Sequence, residues 1–179
     1  MADHKKSYST QVSGIWNTRH TLRDPEGELG VLEFRRNALG VVTEGTYRPK
    51  KGETLLFRRD PGILRSQFSL WTDGKEWLGS ALRWSVLARE INLSTGSKPL
   101  RLLPLPGLRR GWSLMAPKSG EIARYTARPF SRGSEILVHR RLDFELVLFG
   151  YFLGAQLLTE SFWPGPEALA LEGTTPVTS

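Results

Sequence analysis

The sequence predicts a mainly β protein: a closed antiparallel barrel wrapped around one buried, hydrophobic C-terminal helix. Three observations carry that prediction. Short segments rich in branched and aromatic residues recur along the chain, separated by Gly, Pro, Asn and Asp turns, the pattern of a sandwich or barrel. A single stretch, Leu142 to Trp163, has no polar side chain between Glu145 and Gln156 except the Tyr151 hydroxyl. A barrel closed around that stretch buries it on every side and removes exposed sheet edges at once.

Residues 1–11 are polar and are expected to be a disordered N-terminus. The folded part is expected from Val12 to Trp163, beginning with a strand from Val12 to about Leu22. Asp24-Pro25-Glu26-Gly27 is a turn, because Pro presets φ and Gly accepts positive φ. Leu29 to Phe34 and Val41 to Tyr47 read as strands around an Asn37-Ala38-Leu39-Gly40 turn. Pro49-Lys50-Lys51-Gly52 turns the chain into Thr54 to Phe57, and Asp60-Pro61-Gly62 turns it into the alternating strand Leu64 to Leu70. Thr72-Asp73-Gly74-Lys75 is a hairpin signal of the Asp-Gly type, returning through Trp77 to Leu82.

The stretch 82–91 reads as strand, although Trp84, Leu87, Ala88 and Ile91 also fit helical spacing. Ser94 to Ser97 turns into Leu100 to Leu105, where Pro104 and Pro106 point to an edge or irregular strand. Gly111 to Met115, Glu121 to Tyr125 and Glu135 to His139 complete the strands. Residues 164–179, rich in Pro, Gly and Thr, are expected to be a mobile tail.

The helix is predicted over 142–163. At about 100° per residue, Asp143, Gly150, Gly154 and Ser161 share one line. Phe144, Leu148, Tyr151, Ala155 and Phe162 share another, and Phe149 and Phe152 fall elsewhere. A helix apolar all round is a buried one. Crossing a membrane takes roughly 18 consecutive apolar residues, and Glu145, Gln156 and Glu160 interrupt the run. Gly150 and Gly154 are expected to let the helix lie close to a packed wall. Glu145 and Gln156 lie about 20° apart, about three turns from one another, and both are expected to point out where the barrel opens.

With 179 residues, the chain is long enough for one sizeable core. It has no cysteine, which removes disulfides and thiolate chemistry and fits a reducing compartment. Met1 to Lys6 shows no apolar signal segment, and Ala2 breaks the N-myristoylation pattern. A cytoplasmic location, with peripheral attachment to a membrane, is the expectation. The net charge of +7 and pI of about 10.0 favour anionic partners. The candidate anion- or lipid-binding residues are the basic doublets Arg35-Arg36, Lys50-Lys51, Arg58-Arg59, Arg109-Arg110 and Arg140-Arg141. Neighbours in a strand point to opposite faces, so sequence alone leaves open whether these make one patch or several.

A weak repeat runs through three hairpins: Gly27-Glu28-Leu29-Gly30, Gly74 with Leu78-Gly79, and Gly120-Glu121-Ile122-Ala123. Together with Trp71-Thr72-Asp73-Gly74, Trp112 with Ser119-Gly120-Glu121-Ile122, and the helix from Phe144 to Phe162, these residues resemble the tubby-like superfamily. That superfamily comprises tubby C-terminal domains, phospholipid scramblases and plant LURP-one-related proteins. The resemblance covers roughly Val12 to Trp163. It implies a closed barrel of about twelve antiparallel strands around a hydrophobic C-terminal helix, and lipid-linked functions such as phosphoinositide binding. The chain departs from the scramblase pattern: it has no cysteine-rich segment, no acidic calcium-binding run and no Pro-rich N-terminus. The tubby phosphoinositide site has no residue-by-residue counterpart here.

Catalysis requires converging titratable groups, and His4, His20 and His139 show no triad or metal-ligand spacing. No Gly-x-x-x-x-Gly-Lys-[Ser/Thr] loop is present. No enzyme activity, metal site or cofactor is therefore expected. The expected function is a binding module contacting anionic phospholipid headgroups through a basic face. A carrier of a small hydrophobic ligand is the alternative, on the strength of a lipocalin-like Gly14-Ile15-Trp16 and the barrel, although a threading helix would fill the cavity. A barrel for protein interaction is a further reading. Nucleic acid fits less well, because the tryptophans fall mostly on apolar strand patterns expected to be core or rim.

Overall fold

The structure, a computed structural model, describes residues 5–60, 66–83, 90–96, 99–106, 110–129 and 131–160, with backbone alone at 66 and 157–160. The first six strands are β1 (Lys6–Ser13), β2 (Arg19–Asp24), β3 (Gly27–Arg36), β4 (Val42–Pro49), β5 (Leu55–Asp60) and β6 (Ser66–Thr72). The second six are β7 (Trp77–Arg83), β8 (Ile91–Ser94), β9 (Pro99–Pro104), β10 (Gly111–Ala116), β11 (Gly120–Ala127) and β12 (Ser134–Val138), followed by α1 (Phe144–Glu160). Each strand pairs antiparallel with its neighbours in sequence, and β12 returns to β1. The result is a closed twelve-strand meander with one helix inside, the fold class the sequence predicts.

Period-two alternation sets the inside and outside of the wall. In β3, Gly30, Leu32 and Phe34 are buried, whereas Arg35 is exposed and Glu33 is half-exposed. Phe34, Phe57 and Phe68 surround Phe152 of the helix, with ring centroids 5.1, 4.7 and 6.4 Å away. Tyr8 and Tyr47 flank Phe144 near the other end of the helix. Every residue from Val147 to Gly154 is buried, as an all-round apolar helix requires. A Cβ on Gly150 would collide with the Tyr125 hydroxyl, and one on Gly154 would stand 2.8 Å from Trp112 Cδ1. The two glycines therefore offset their cost to the helix by letting it approach β10 and β11.

An apolar interior with a charged exterior (Arg19, Glu33, Arg35, Glu44, Arg48) is the reverse of a transmembrane barrel, whose outer band is apolar. No helix among the described residues is long and apolar enough to cross a membrane.

Several expectations are corrected. Residues 6–11 are ordered within β1, which closes the barrel by pairing with β12 and β2. They look loose in sequence because only Tyr8 and Thr10 face inward, and Thr10 is buried through hydrogen bonds instead of hydrophobicity. Its Oγ1 accepts from the Tyr151 hydroxyl at 3.0 Å and from the Ser134 N–H at 2.9 Å. The predicted strand Val12 to Leu22 is two strands, separated by residues 14–18. β9 is paired on both sides with β8 and β10, not an edge; Pro99 and Pro104 sit at its ends, where a missing N–H is tolerated. In the β6–β7 turn the positive φ belongs to Lys75 (66°) and not to Gly74, so the two-residue Asp-Gly turn with positive φ at both central residues is not formed.

The helix starts at Phe144, and Gln156 is buried at 2% exposure instead of pointing out of the barrel. Residues 84–89 of the ambiguous 82–91 stretch, and the 164–179 tail, lie outside the described residues; Leu82 and Arg83 belong to β7 and Ile91 to β8.

Candidate functional site

In an antiparallel meander, odd-numbered strands end at one mouth of the barrel and even-numbered strands at the other. That parity sorts the basic doublets. Arg35 and Arg36 end β3, Arg58 and Arg59 lie near the end of β5, and Arg110 immediately precedes β10. These five converge on one rim, joined by Arg19 at the start of β2 and by Arg128 and Arg132 between β11 and β12. Lys50 and Lys51 follow β4 and Arg140 and Arg141 follow β12, so they sit at the opposite rim. Arg109 lies outside the described residues. The doublets form two separated groups, not a single face.

The first rim carries an excess of arginine over carboxylate. Glu44 of β4 stands between Arg35 of β3 and Arg58 of β5 in register and pairs with Arg35 at 3.3 Å. Arg19 pairs with Glu33 at 3.0 Å and Arg128 with Glu135 at 3.3 Å. Arg59 lies over the Phe68 ring, 5.6 Å from its centroid, a cation–π placement. All of these arginines are at least partly exposed. Exposed pairs of this kind contribute little to stability, which leaves their charge accessible to a partner.

The same rim holds the most exposed apolar side chains in the described structure. Ile15 is 92% exposed, Leu39 71% and Trp16 53%. They lie on the adjacent loops 14–18 and 37–41, and both loops are firmly built. Arg36 clamps them together, donating from Nε to the Trp16 carbonyl at 3.0 Å and from Nη1 to the Gly40 carbonyl at 2.9 Å. Asn37 Oδ1 accepts from the N–H groups of Leu39 and Val41, both at 3.0 Å. Gly40 takes φ 79°, a conformation that costs glycine little. Asn17 Oδ1 accepts from the Arg36 N–H at 3.3 Å. The apolar tips are thus held outward by a hydrogen-bonded frame.

Beneath this rim a polar cluster joins the barrel seam to the helix. His20 Nδ1 is 2.7 Å from the Tyr151 hydroxyl and its Nε2 is 3.0 Å from Thr18 Oγ1. Burial, reinforced by the charges of Arg36 and Arg132, pushes the His20 pKa down to about 3, so the ring is neutral at ordinary pH. Burial likewise pushes Tyr151 up to about 12, against hydrogen bonds to Thr10 and Ser134. His139, far along the wall, has Nε2 3.1 Å from Glu121 Oε1. Burial pushes the Glu121 carboxyl up, but hydrogen bonds from Ser113 and Arg124 and the charges of Arg124 and His139 outweigh it and hold it low. Among the described residues no three His, Cys, Asp or Glu side chains converge as a metal site.

Sequence reasoning named Arg35, Arg36, Arg58, Arg59 and Arg110 but missed Ile15, Trp16 and Leu39. The available signal was an aliphatic residue, Leu39, inside a predicted Asn-to-Gly turn. Gly14-Ile15-Trp16, the lipocalin-like motif of the sequence, is an exposed loop at this rim.

Fold and site together define a class: a helix-filled, up-and-down β-barrel with one arginine-rich rim bearing apolar tips. Compared with known proteins, the chain matches no protein-family model, no curated protein and no solved structure.

Proposed function

We propose that the protein is a non-enzymatic, cytoplasmic binding module that docks its arginine-rich rim on an anionic phospholipid surface. The observation that carries this reading is the coincidence of Ile15, Trp16 and Leu39 with the larger basic group on one rim. Exposed apolar groups bordered by charge are a feature of interaction sites. Membrane-surface binding combines buried apolar area with electrostatic attraction. Each arginine near an anionic leaflet contributes about 1 kcal/mol, and tryptophan favours the headgroup region. The helix-filled interior favours a surface role over carriage of an internal hydrophobic ligand. A closed barrel with an axial C-terminal helix is also what kinship with tubby-like proteins implies, and that kinship is part of the proposal.

Co-sedimentation with neutral and anionic vesicles, at low and physiological salt, tests it. The expected result is binding to anionic vesicles alone, weakened by salt because screening is strong beyond about 8 Å. Charge reversal at Arg58 should weaken binding, while charge reversal at Arg140 and Arg141 should not. Equal binding to both vesicle types, or none at low salt, sinks the proposal.

A further inference from the structure

The opposite rim contains a cleft of about 300 Å³ beside the start of the helix, at the small end of the range for metabolite sites. Leu29, Pro49, Leu55 and Phe144 give it apolar walls. Lys51, which is exposed, and Glu145, which is half-buried, bring one charge of each sign to its lining. Neither has an ion-pair partner among the described residues. Glu53 also lines the cleft and adds a second carboxylate to it, with Oε1 accepting from the Gly74 N–H at 2.9 Å. Thr72 is committed to the fold, its Oγ1 accepting from the Glu76 N–H at 3.2 Å.

Tyr47 is the informative residue. It is 2% exposed and lines the cleft, and no side-chain hydrogen bond engages its hydroxyl among the described residues. The hydroxyl oxygen is not sealed off from solvent, so it opens on the cleft, where a ligand atom can reach it. Its ring is packed against Phe144 with centroids 5.9 Å apart, which fixes its position.

We propose that this cleft binds a small zwitterion with an apolar side group, of the size of an aliphatic or aromatic amino acid. The ammonium group meets Glu145, the carboxylate meets Lys51, the Tyr47 hydroxyl hydrogen-bonds the polar head, and the side group lies on Leu29, Leu55 and Phe144. A molecule of one charge would leave either Lys51 or Glu145 without its counterpart. This site is independent of the arginine-rich rim and stands or falls separately.

Isothermal titration of the full chain with leucine, N-acetyl-leucine and leucinamide tests the assignment. Saturable binding of leucine, with each blocked analogue weaker, is the expected result. Tyr47→Phe should weaken leucine binding roughly tenfold while leaving the melting temperature unchanged or higher, because the hydroxyl has no internal partner to lose. Glu145→Gln should weaken leucine binding while leaving N-acetyl-leucine unaffected. No heat with any of the three molecules overturns the proposal. So does leucine binding that is indifferent to both substitutions, or leucinamide binding as tight as leucine.

Discussion

The two rims of the barrel are built from the same materials and differ in what they leave exposed. At the arginine-rich rim, loops 14–18 and 37–41 spend their hydrogen bonds on holding Ile15, Trp16 and Leu39 out in solvent. At the opposite rim, the basic residues are interleaved with Asp24, Glu28, Glu53, Asp73 and Asp143, and Lys50 lies 3.9 Å from Glu28. Apolar residues there mostly turn inward to form the cleft beside Phe144, with Trp77, 40% exposed, as the exception. Among the described residues, one mouth is net-positive and carries exposed apolar tips; the other is nearly charge-balanced around a cleft. The difference teaches that net charge says little about a barrel until each residue is assigned to an end.

The largest expected effect removes the scaffold common to both rims. Phe152→Ala takes away the ring on which Phe34, Phe57 and Phe68 converge and should cost about 3–5 kcal/mol. Denaturant unfolding would measure it, and vesicle binding and cleft binding should fail together near the lowered transition. A loss below about 1 kcal/mol would mean that the helix is not the keystone described above.

Arg36→Met separates the rims. It keeps the aliphatic stem but removes the donors to Trp16 and Gly40, at a cost of about 1–3 kcal/mol. Amide exchange should accelerate at Leu39 and Val41 and stay unchanged around Lys51 and Glu53. Uniform acceleration at both mouths would contradict a local clamp.

His20 gives the arginine-rich side a pH dependence. Its pKa is depressed in the folded protein to about 3 against about 6.5 unfolded, so below pH 6.5 the unfolded chain takes up a proton that the native ring refuses. The contribution is fully present above about pH 6.5 and is lost progressively down to about pH 3, at up to about 1.4 kcal/mol per pH unit. His20→Gln should flatten that part of the stability profile relative to the unmodified chain. Parallel profiles for the two proteins would show that His20 is not held neutral.

The smallest effect on stability should give a clear difference in binding. Ile15→Ser and Leu39→Ser touch exposed side chains and should change stability by no more than about 0.5 kcal/mol. Both should reduce anionic-vesicle binding, whereas Trp77→Ser at the other mouth should leave it intact. Equal loss from all three would remove the distinction between the rims.

How much of this was legible in sequence differs from element to element. The helix could be read because Val147 to Gly154 is apolar on every side, and its close approach because Gly150 and Gly154 sit one turn apart. Most strands could be read from alternation and turn residues. Strand β1 could not, because its inward residues are a tyrosine and a threonine whose burial depends on Tyr151 and Ser134, more than a hundred positions away. Tyr47 reads as an ordinary core position of β4, and only the cleft beside it reveals its uncommitted hydroxyl.

What the sequence alone determined was the barrel around a helix, since periodicity and turn chemistry are properties of a few consecutive residues. Which mouth each residue occupies was decided only by the tertiary structure. In a meander every strand reverses the chain, so the end on which a loop falls follows from the parity of all strands before it. Reading Val12 to Leu22 as one strand, when residues 14–18 divide β1 from β2, hides the reversal that brings Ile15 and Trp16 to the same mouth as Arg35 and Arg36. Charge is written locally, but its placement is a count kept over the whole chain.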